Sequence, residues 1–328
     1  MTRRLAAWLG VAVSAVFVWL ALRNVDFDQA WRALREASYW PLLPALVALA
    51  VGNVIRAVRW QALFEQERRP PLEPVAHAML IGLLFNSILP ARAGEAARVV
   101  ALWREARVSR VESLATAIAE RVYDVLALLV LLFVAVPFLP SVSWLGTAAV
   151  AAAVLVAGIA ATVVVLLRYR ERPVAWALQR VVGEERARHQ ADSLVRGLSS
   201  FRHPGTAVRA FVLTVASWLV FALSSYLLLL GFDFGVGFGA GLLTTIATAL
   251  VLVIPAAPGG VGQFETAAIV ALSAFGVDRS HALSYGIVLH LVNLVPLVLA
   301  GYVALQRHSR AVRRLRAQEI AEPPPNGA

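Results

Sequence analysis

The chain has 328 residues, 59% of them hydrophobic and 15% charged, against roughly 25% charged in soluble domains, so the composition excludes a soluble protein and indicates an integral membrane protein. It contains no cysteine, which excludes disulfides, c-type haem attachment and thiolate metal sites. The positive side of its net charge of +10 comes from arginine alone, and in a membrane protein such charge reports orientation and contact with anionic lipid rather than nucleic-acid binding.

The first predicted element is a hydrophobic helix over about 5–22. It follows Arg3 and Arg4 and therefore resembles a signal peptide. Trp19 and Leu22 crowd the place where a cleavage site needs small residues. We therefore expect an uncleaved first span.

Further apolar stretches follow along the chain. Those long enough to cross a bilayer, which takes about 20 residues, cover about 40–58, 111–139, 144–167, 210–231 and 282–305. Shorter or interrupted stretches cover 75–89, 237–254 and 262–276. Together they predict an all-α, polytopic helical membrane protein with about six to eight spanning helices and one or two re-entrant or broken hairpins.

The distribution of arginine predicts which loops lie on which side of the membrane. Nine arginines crowd the region 168–209, and five more lie between 307 and 316. Cytoplasmic loops carry an excess of basic residues, so we expect both regions, and both chain termini, to be cytoplasmic. Arg68 and Arg69 favour the same side for the second loop. The expected location is the cytoplasmic (inner) membrane of a bacterium or archaeon.

The predicted sides of all the loops are consistent with one another only if the stretch 75–104 enters the membrane and returns to the side from which it came. A single span over 75–89 would move the arginine-rich region 168–209 to the outside, against the charge rule. The sequence therefore predicts a re-entrant hairpin, or a pair of tilted short spans, that turns at about 89–94.

The chain is predicted to form one transmembrane domain over 1–310. Within it, 168–209 is expected to be a cytoplasmic amphipathic insertion, because apolar residues recur there at helical spacing; a solvated linker is the alternative. Residues 311–328 are expected to form a cytoplasmic, largely disordered tail.

The predicted hairpin carries the first group of polar residues inside an apolar stretch, namely Asn86, Arg92, Glu95 and Arg98. On a helix, the last three lie along one stripe, where Glu95 can pair with either arginine. One guanidinium then stays free for an anion, and its planar fork suits phosphate. An ion-paired knot that only holds the hairpin is the alternative.

Glu120, Arg121 and Asp124 form the second group, inside the stretch 111–139. A charged residue at the centre of a spanning helix costs roughly 2.5 to 3.5 kcal/mol, and such residues normally face a bundle interior or a wet cavity. The two acids share one helix face. Either they are counter-ions to Arg92 and Arg98, or one of them carries a proton.

The third group surrounds a break at about 255–262 and comprises Gly259, Gly260, Gly262 and Glu265. A helix that begins near Gly262 would present its free N–H groups and positive dipole end to an anion. Glu265 would either cap this helix or pair with an arginine from elsewhere. We interpret the three groups as parts of one buried polar site, and the likeness of the two breaks as an inverted repeat or as coincidence.

Four further polar residues lie in spans. Arg56 and Arg59, near the end of the second span, are expected to snorkel to lipid headgroups. His290 and Asn293 either line the cavity or bond a neighbouring helix. The sequence contains none of the familiar hydrolase, zinc-protease or nucleotide-binding motifs, and we expect no metal and no cofactor.

Three motifs in order resemble those of the flippase-like integral membrane family, which includes the membrane region of lysylphosphatidylglycerol synthases. They are Asn86-x-x-x-Pro90-x-Arg92-x-Gly94-Glu95-x-x-Arg98, Glu120-Arg121-x-x-Asp124 and Pro255-x-x-Pro258-Gly259-Gly260-x-Gly262-x-x-Glu265. The resemblance covers about 5–305 and implies a helical membrane domain with re-entrant elements that moves lipids or lipid-linked intermediates between leaflets. Members that aminoacylate lipid carry an extra soluble transferase domain, which this sequence lacks, so we do not expect synthase activity.

The sequence analysis thus predicts a lipid transporter that moves an anionic phospholipid or lipid-linked intermediate through a buried Arg/Glu site, without covalent chemistry. Two alternatives stay open. One is a membrane-embedded enzyme acting on lipid-linked sugar or phosphate, with Glu120 or Asp124 as base. The other is a scaffold for a lipid-modifying partner. The expected partners are an anionic lipid, the membrane, and a second copy of the chain or a glycosyltransferase or other lipid-modifying enzyme, with no nucleic acid.

Overall fold

The computed structural model describes residues 2–89, 93–136, 196–252 and 258–321, with isolated residues between 146 and 194. Side chains are described from residue 12 to residue 312 within these ranges. The described secondary structure is helical and contains no strand, which confirms the all-α prediction. Most of the predicted span 144–167, and most of the predicted insertion 168–209, lie outside the described residues.

The described ranges contain ten α-helices, which we number in chain order. They are α1 (Thr2–Leu22), α2 (Phe27–Glu36), α3 (Leu42–Ala62), α4 (Leu72–Ile88), α5 (Gly94–Ala106), α6 (Arg110–Ala135), α7 (Pro204–Leu230), α8 (Phe238–Val251), α9 (Gln263–Ser273) and α10 (Arg279–Ala321). By length and composition, α3, α7 and α10 are able to cross a membrane, and parts of α1, α4 and α8 are shorter apolar helices. The protein is therefore a helical membrane protein. Helix α10 continues past the predicted domain boundary at 310.

Local sequence explains where several helices begin and end. Asp26 caps α2, because its carboxylate accepts a hydrogen bond of 3.0 Å from the Gln29 amide. Pro204 stands in the first turn of α7, where its missing N–H costs nothing. Arg107 ends α5 in the left-handed conformation, with φ 55°.

The amphipathic helix α2 and three loops mark one end of the bundle, which we call the α2 end. The Ser38 amide donates to the Gly231 carbonyl at 2.7 Å. The Asp26 amide donates to Ser280 Oγ at 3.0 Å, and Arg279 donates to backbone carbonyls at the end of α1. The loops near Asp233 and Asp278 therefore lie together.

A carboxylate held by two histidines marks the opposite end, which we call the Glu105 end. Glu105 Oε1 lies 3.0 Å from His77 Nδ1, and its Oε2 lies 2.6 Å from His308 Nδ1. Three helices meet here, since His77 is in the second turn of α4, Glu105 ends α5 and His308 lies late in α10.

The predicted hairpin over 75–104 is confirmed in the structure. Helix α4 leaves the Glu105 end and α5 returns to it, as the His77–Glu105 contact requires. The two helices pack closely at Gly82, where a Cβ atom would lie 3.0 Å from Arg98 Cβ. Residues 90–92 of the turn lie outside the described residues.

A second hairpin, formed by α8 and α9, enters from the α2 end. Phe238 at its start contacts Tyr226 near the end of α7, with ring centroids 5.8 Å apart. The two tips meet inside the bundle, because a Cβ atom at Gly259 would lie 3.7 Å from the Ser87 carbonyl oxygen. Two hairpins that enter from opposite ends are what an inverted repeat would produce, and the repeat itself stays a prediction.

The outer surface of the long helices suits hydrocarbon. Val54 on α3, Val212 on α7 and Leu299 on α10 are each more than half exposed. A soluble protein rarely leaves so many large apolar side chains in water, whereas lipid tails pack against them at no cost. Among the described polar residues of the sequence motifs, Arg98, Glu120 and Asp124 are accordingly buried inside the bundle.

Candidate functional site

Arg59 lies at the centre of the largest buried polar cluster among the described residues. Its side chain on α3 is 0% exposed. Nη2 lies 2.6 Å from Glu120 Oε1, and Nη1 lies 2.6 Å from Asp124 Oδ1. Nη1 also donates to Thr214 Oγ1 at 3.1 Å. The spacing of four residues places both acids of α6 on one helix face, where they hold one guanidinium between them.

Arg98 brings α5 into the same cluster. Its Nη1 lies 2.9 Å from Glu120 Oε2, and its Nε lies 2.7 Å from Glu95 Oε2. The guanidinium also stacks over the Trp60 ring, 4.7 Å from the centroid. Glu120 therefore bridges two buried arginines, one from α3 and one from α5.

Asp124 collects the remaining contacts of the cluster. Trp218 Nε1 on α7 donates to its Oδ1 at 3.1 Å. Its Oδ2 lies 3.4 Å from Arg121 Nη1 and 3.7 Å from Arg56 Nη2. Three helices, α3, α5 and α6, thus contribute the charged side chains of what we call the arginine cluster, and α7 adds hydrogen bonds from Thr214 and Trp218. The charged residues are Arg56, Arg59, Glu95, Arg98, Glu120, Arg121 and Asp124.

The cluster is exposed at one edge, where Glu95 on α5 meets Arg121 on α6. Arg121 Nη2 lies 2.8 Å from Glu95 Oε1, and these side chains are 45% and 26% exposed. Glu120 follows the start of α6 by ten residues, which is about 15 Å along a helix. The exposed edge therefore lies well inside the length of the bundle and gives access from the side.

The arginine cluster carries an excess of positive charge. Its four arginines face three carboxylates, so the formal charge of these residues is +1. Among the described residues, Arg98 Nη2 and Arg56 Nε have no hydrogen-bond partner. Buried donors without acceptors are costly, so this arrangement favours binding of an anion that supplies the missing acceptors.

The expectation that Arg56 and Arg59 snorkel to headgroups is wrong. Both lie within the last two turns of α3, which made an interfacial position plausible, but α6 and α7 extend past them. Arg59 meets Thr214 ten residues after the start of α7. The sequence signal that could have identified them is charge balance, because Glu120 and Asp124 in one span need cations from another span.

The predicted residues Glu95, Arg98, Glu120, Arg121 and Asp124 lie together in the cluster. Asn86 does not touch them and caps α5 instead, because its Oδ1 accepts a hydrogen bond of 2.9 Å from the Gly94 amide. A Cβ atom at Gly94 would lie 2.6 Å from this oxygen, so the cap needs glycine there. Arg92 lies outside the described residues. Thr214 and Trp218 contribute to the cluster and were not expected from the sequence.

The third predicted group forms its own network at the tip of the second hairpin. Glu265 Oε2 accepts a hydrogen bond of 2.7 Å from the Gly262 amide, and its Oε1 lies 2.6 Å from His290 Nδ1. His290 Nε2 lies 2.9 Å from the Gly259 carbonyl oxygen. Gly259, Gly260 and Gly262 have φ of 74°, 73° and 83°, a region that side chains disfavour.

This network answers a question that the sequence left open. Glu265 caps its own helix and pairs with a histidine, and none of its contacts in the described ranges is to an arginine. The Glu265 carboxylate is therefore the anion at the start of α9. The third group contacts the first hairpin through its tip but shares no ion pair with the arginine cluster in the described residues, so the single site expected from the sequence is divided into two networks.

An apolar groove lies at the α2 end. Its volume is about 560 Å³, within the range of about 300 to 1,000 Å³ typical of ligand pockets. It runs between α2, α3 and α10 and is lined by Trp31, Leu34, Arg35, Tyr39, Leu291 and Val295, among others. Arg35 stacks over the Trp31 ring at 5.0 Å. The lining suits an acyl chain, with aromatic and basic groups at one side.

Comparisons with known proteins agree with this architecture. A family model described as the lysylphosphatidylglycerol synthase TM region matches residues 7–301. A "UPF0104 membrane protein" of Methanothermobacter thermautotrophicus is 23% identical over 314 residues, which is 89% of each chain. A second protein with that name, from Pyrococcus horikoshii, is 22% identical over 348 residues, which is 95% of this chain and 99% of the relative. The chain therefore belongs to the family of lysylphosphatidylglycerol synthase transmembrane regions.

Proposed function

We propose that the protein moves an anionic lipid, either a phospholipid or a lipid-linked intermediate, between the leaflets of a bacterial or archaeal inner membrane. The observation that carries this proposal is the arginine cluster, with its excess positive charge and its unpartnered Arg98 Nη2. Charge buried in a membrane bundle normally marks a pathway or a site. The Glu105 end, which also carries the arginine-rich C-terminal segment, is the cytoplasmic side in this proposal.

The chemistry of the cluster suits a phosphate-containing headgroup. Arginine presents planar N–H pairs that match phosphate oxygens, and a phosphate supplies acceptors for Arg98 and Arg56. Its negative charge also offsets the formal charge of the cluster. A zwitterionic headgroup brings no net charge to do so, and we expect it to bind more weakly.

Glu120 and Asp124 act as resident counter-ions in this proposal. They neutralise Arg59 and its neighbours when no lipid is present, which removes much of the cost of holding bare guanidinium groups in the bundle. An arriving phosphate exchanges with a carboxylate as the partner of Arg98. The barrier for the headgroup is lowered because one ion pair replaces another, without a bare phosphate in hydrocarbon.

Two surface features support access for a lipid. The exposed Glu95–Arg121 pair opens the cluster between α5 and α6. The apolar groove at the α2 end accommodates an acyl chain of the lipid while the headgroup moves inside the bundle.

The proposal is tested by leaflet exchange of a fluorescent anionic phospholipid in proteoliposomes. We expect Arg98→Ala to reduce exchange at least tenfold, because it removes the donor with the missing partner. Arg104→Ala is the matched control, since Arg104 is exposed on the same helix and lies outside the cluster. Folded Arg98→Ala protein that exchanges lipid at the wild-type rate would contradict the proposal.

The same preparations separate the enzyme and scaffold alternatives. A lipid transporter changes no covalent bond, so lipid recovered after exchange should be chemically intact. Conversion of a lipid-linked sugar or phosphate by purified protein would favour the enzyme. Absence of both exchange and conversion, for phospholipids and polyprenyl phosphates alike, would favour the scaffold.

A further inference from the structure

His290 lies between two hydrogen-bond acceptors at the tip of the second hairpin. The residue is 8% exposed on α10. Its Nδ1 lies 2.6 Å from Glu265 Oε1, and its Nε2 lies 2.9 Å from the Gly259 carbonyl oxygen. The ring also stacks on Phe264, with centroids 4.6 Å apart and planes inclined by 19°. The ring is therefore fixed, with both nitrogens within hydrogen-bond distance of oxygen.

These contacts determine how many hydrogens the pair holds. A backbone carbonyl only accepts, so Nε2 must carry a hydrogen. At 2.6 Å a second hydrogen must lie between Nδ1 and Oε1, because two lone pairs would otherwise repel each other. It belongs either to an imidazolium facing a carboxylate or to a carboxylic acid facing neutral imidazole. In both cases the pair holds one proton more than neutral histidine plus carboxylate.

No other charged side chain of the described ranges contacts the pair and could hold this proton in its place. Glu265 Oε2 is bonded to the Gly262 amide, and no second charged side chain contacts either residue within the described ranges. Helix α8 and the described side chains of α1 contain no titratable residue. On α4, His77 and Glu73 lie at the Glu105 end.

Of the other titratable residues of α10, Tyr285 is hydrogen-bonded to Ser225 on α7, and three others lie toward the ends of the bundle. Arg279 and His281 contact α1 and α2. His308 contacts Glu105 at the opposite end. By contrast, every carboxylate of the arginine cluster is neutralised by arginine and has no need of a proton.

We propose that Glu265 and His290 form a proton-binding site that controls the tip of the second hairpin. With its proton, the pair holds the Gly259 carbonyl through His290 and the Gly262 amide through Glu265. When the proton passes to water, one N–H or O–H bond is broken and lone pairs face each other across the Glu265–His290 contact. The contact then opens and the turn at 258–262 is released.

The consequence for transport rests on the proposed function. The tip of the second hairpin contacts the first hairpin at Ser87, next to the Asn86 cap of the helix that carries Arg98. Release of the turn therefore acts on the element that positions the arginine cluster. We infer that proton binding and lipid movement are coupled through this contact between the tips.

The proton site is tested without any transport measurement. We expect histidine-selective nitrogen NMR and infrared spectroscopy of the protein in nanodiscs at pH 7 to find one of two signatures. Either His290 gives an imidazolium signal that is absent in His290→Gln, or a carboxylic acid band is present and disappears in Glu265→Gln. Neutral His290 without a carboxylic acid band would overturn the proposal.

The control of the tip is tested by hydrogen exchange of the peptide that contains residues 258–266. After correction for the intrinsic pH effect, we expect protection at pH 6 to fall at least tenfold at pH 9 in the wild type. His290→Gln should remove this difference, whereas the matched control His281→Gln, on the same helix but at the α2 end, should retain it. Equal protection at both pH values in the wild type would overturn the proposal. A positive result with no lipid exchange would contradict only the proposed function.

Discussion

Each of the two hairpins contains a helix start with a first-turn acid, but the electrostatic surroundings of the two helix starts differ. Helices α5 and α9 each begin inside the bundle, and each carries an acid in its first turn, Glu95 or Glu265. The Gly94 amide is capped by Asn86, and the Gly262 amide by Glu265 itself. The two helix starts differ in the side chains that neighbouring helices place around them. Around the first tip they provide arginines, and around the second they provide one histidine.

This difference accounts for the two roles that we propose, an anion site at the first tip and a proton site at the second. Arginine keeps its charge under all ordinary conditions, so the first network can change only by exchanging its anionic partner. Histidine exists in a neutral and a protonated form, so in our proposal the second network can change its own charge. Under both proposals, each helix start inside the bundle takes its role from the residue that faces its first-turn acid.

Removal of Arg59 should have the largest effect on stability. Arg59→Ala leaves Glu120 and Asp124 in the bundle without their shortest ion pairs, and breaking a buried pair in this way costs about 3 to 5 kcal/mol. We expect a large loss of thermal stability in detergent, measured by tryptophan fluorescence. Arg104→Ala should melt like the wild type. An unchanged melting temperature for Arg59→Ala would contradict the central position of this residue.

Glycine substitutions should distinguish the two tips by mechanism. In Gly94→Ala, the new Cβ atom would overlap the Gly82 carbonyl oxygen and the Asn86 side chain, which we expect to cost about 3 kcal/mol. In Gly259→Ala the nearest described atom to the new Cβ, the Ser87 carbonyl oxygen, would lie 3.7 Å away, so only the positive φ matters, at about 1 kcal/mol. Thermal unfolding of both variants measures which substitution destabilises the protein more. A larger loss of stability in Gly259→Ala than in Gly94→Ala would show that the first tip is the less tightly packed of the two.

Removal of the Asn86 cap should have the smallest effect. Asn86→Ala deprives the Gly94 amide of its acceptor, and a lost N-cap costs about 1 kcal/mol. Asn86→Asp retains an acceptor oxygen and adds a charge that a helix start favours, so it should be close to the wild type. Parallel unfolding measurements on Asn86→Ala and Asn86→Asp compare their stabilities with that of the wild type. Equal destabilisation by both would contradict a capping role.

Much of the fold followed from the sequence because it depends on composition and charge. The hairpin over 75–104 was predicted from arginine counts, since only a returning chain keeps the region 168–209 on the basic side. Glu120 and Asp124 were recognised because charge inside an apolar stretch is expensive. These signals are local or additive along the chain, and the structure confirms the hairpin that they predict.

The composition of the site could not be predicted as fully, because it depends on how far each helix extends past its neighbours. Arg59 is three residues from the end of α3 and was assigned to the interface, yet α6 and α7 enclose it. The Glu265–His290 pair joins residues 25 apart through the packing of α9 on α10. A sequence can suggest such partners through charge balance, but only packing selects among them.

The most direct test of the account compares anionic with zwitterionic lipid in the same proteoliposomes. Fluorescent phosphatidylglycerol and phosphatidylcholine would be followed from one leaflet to the other, with wild-type protein and with Arg98→Ala. The account predicts that wild-type protein moves the anionic lipid at least tenfold faster, and that this preference disappears with Arg98. Equal rates for both lipids in the wild type, or a preference that survives in Arg98→Ala, would contradict the claim that the arginine cluster binds the headgroup.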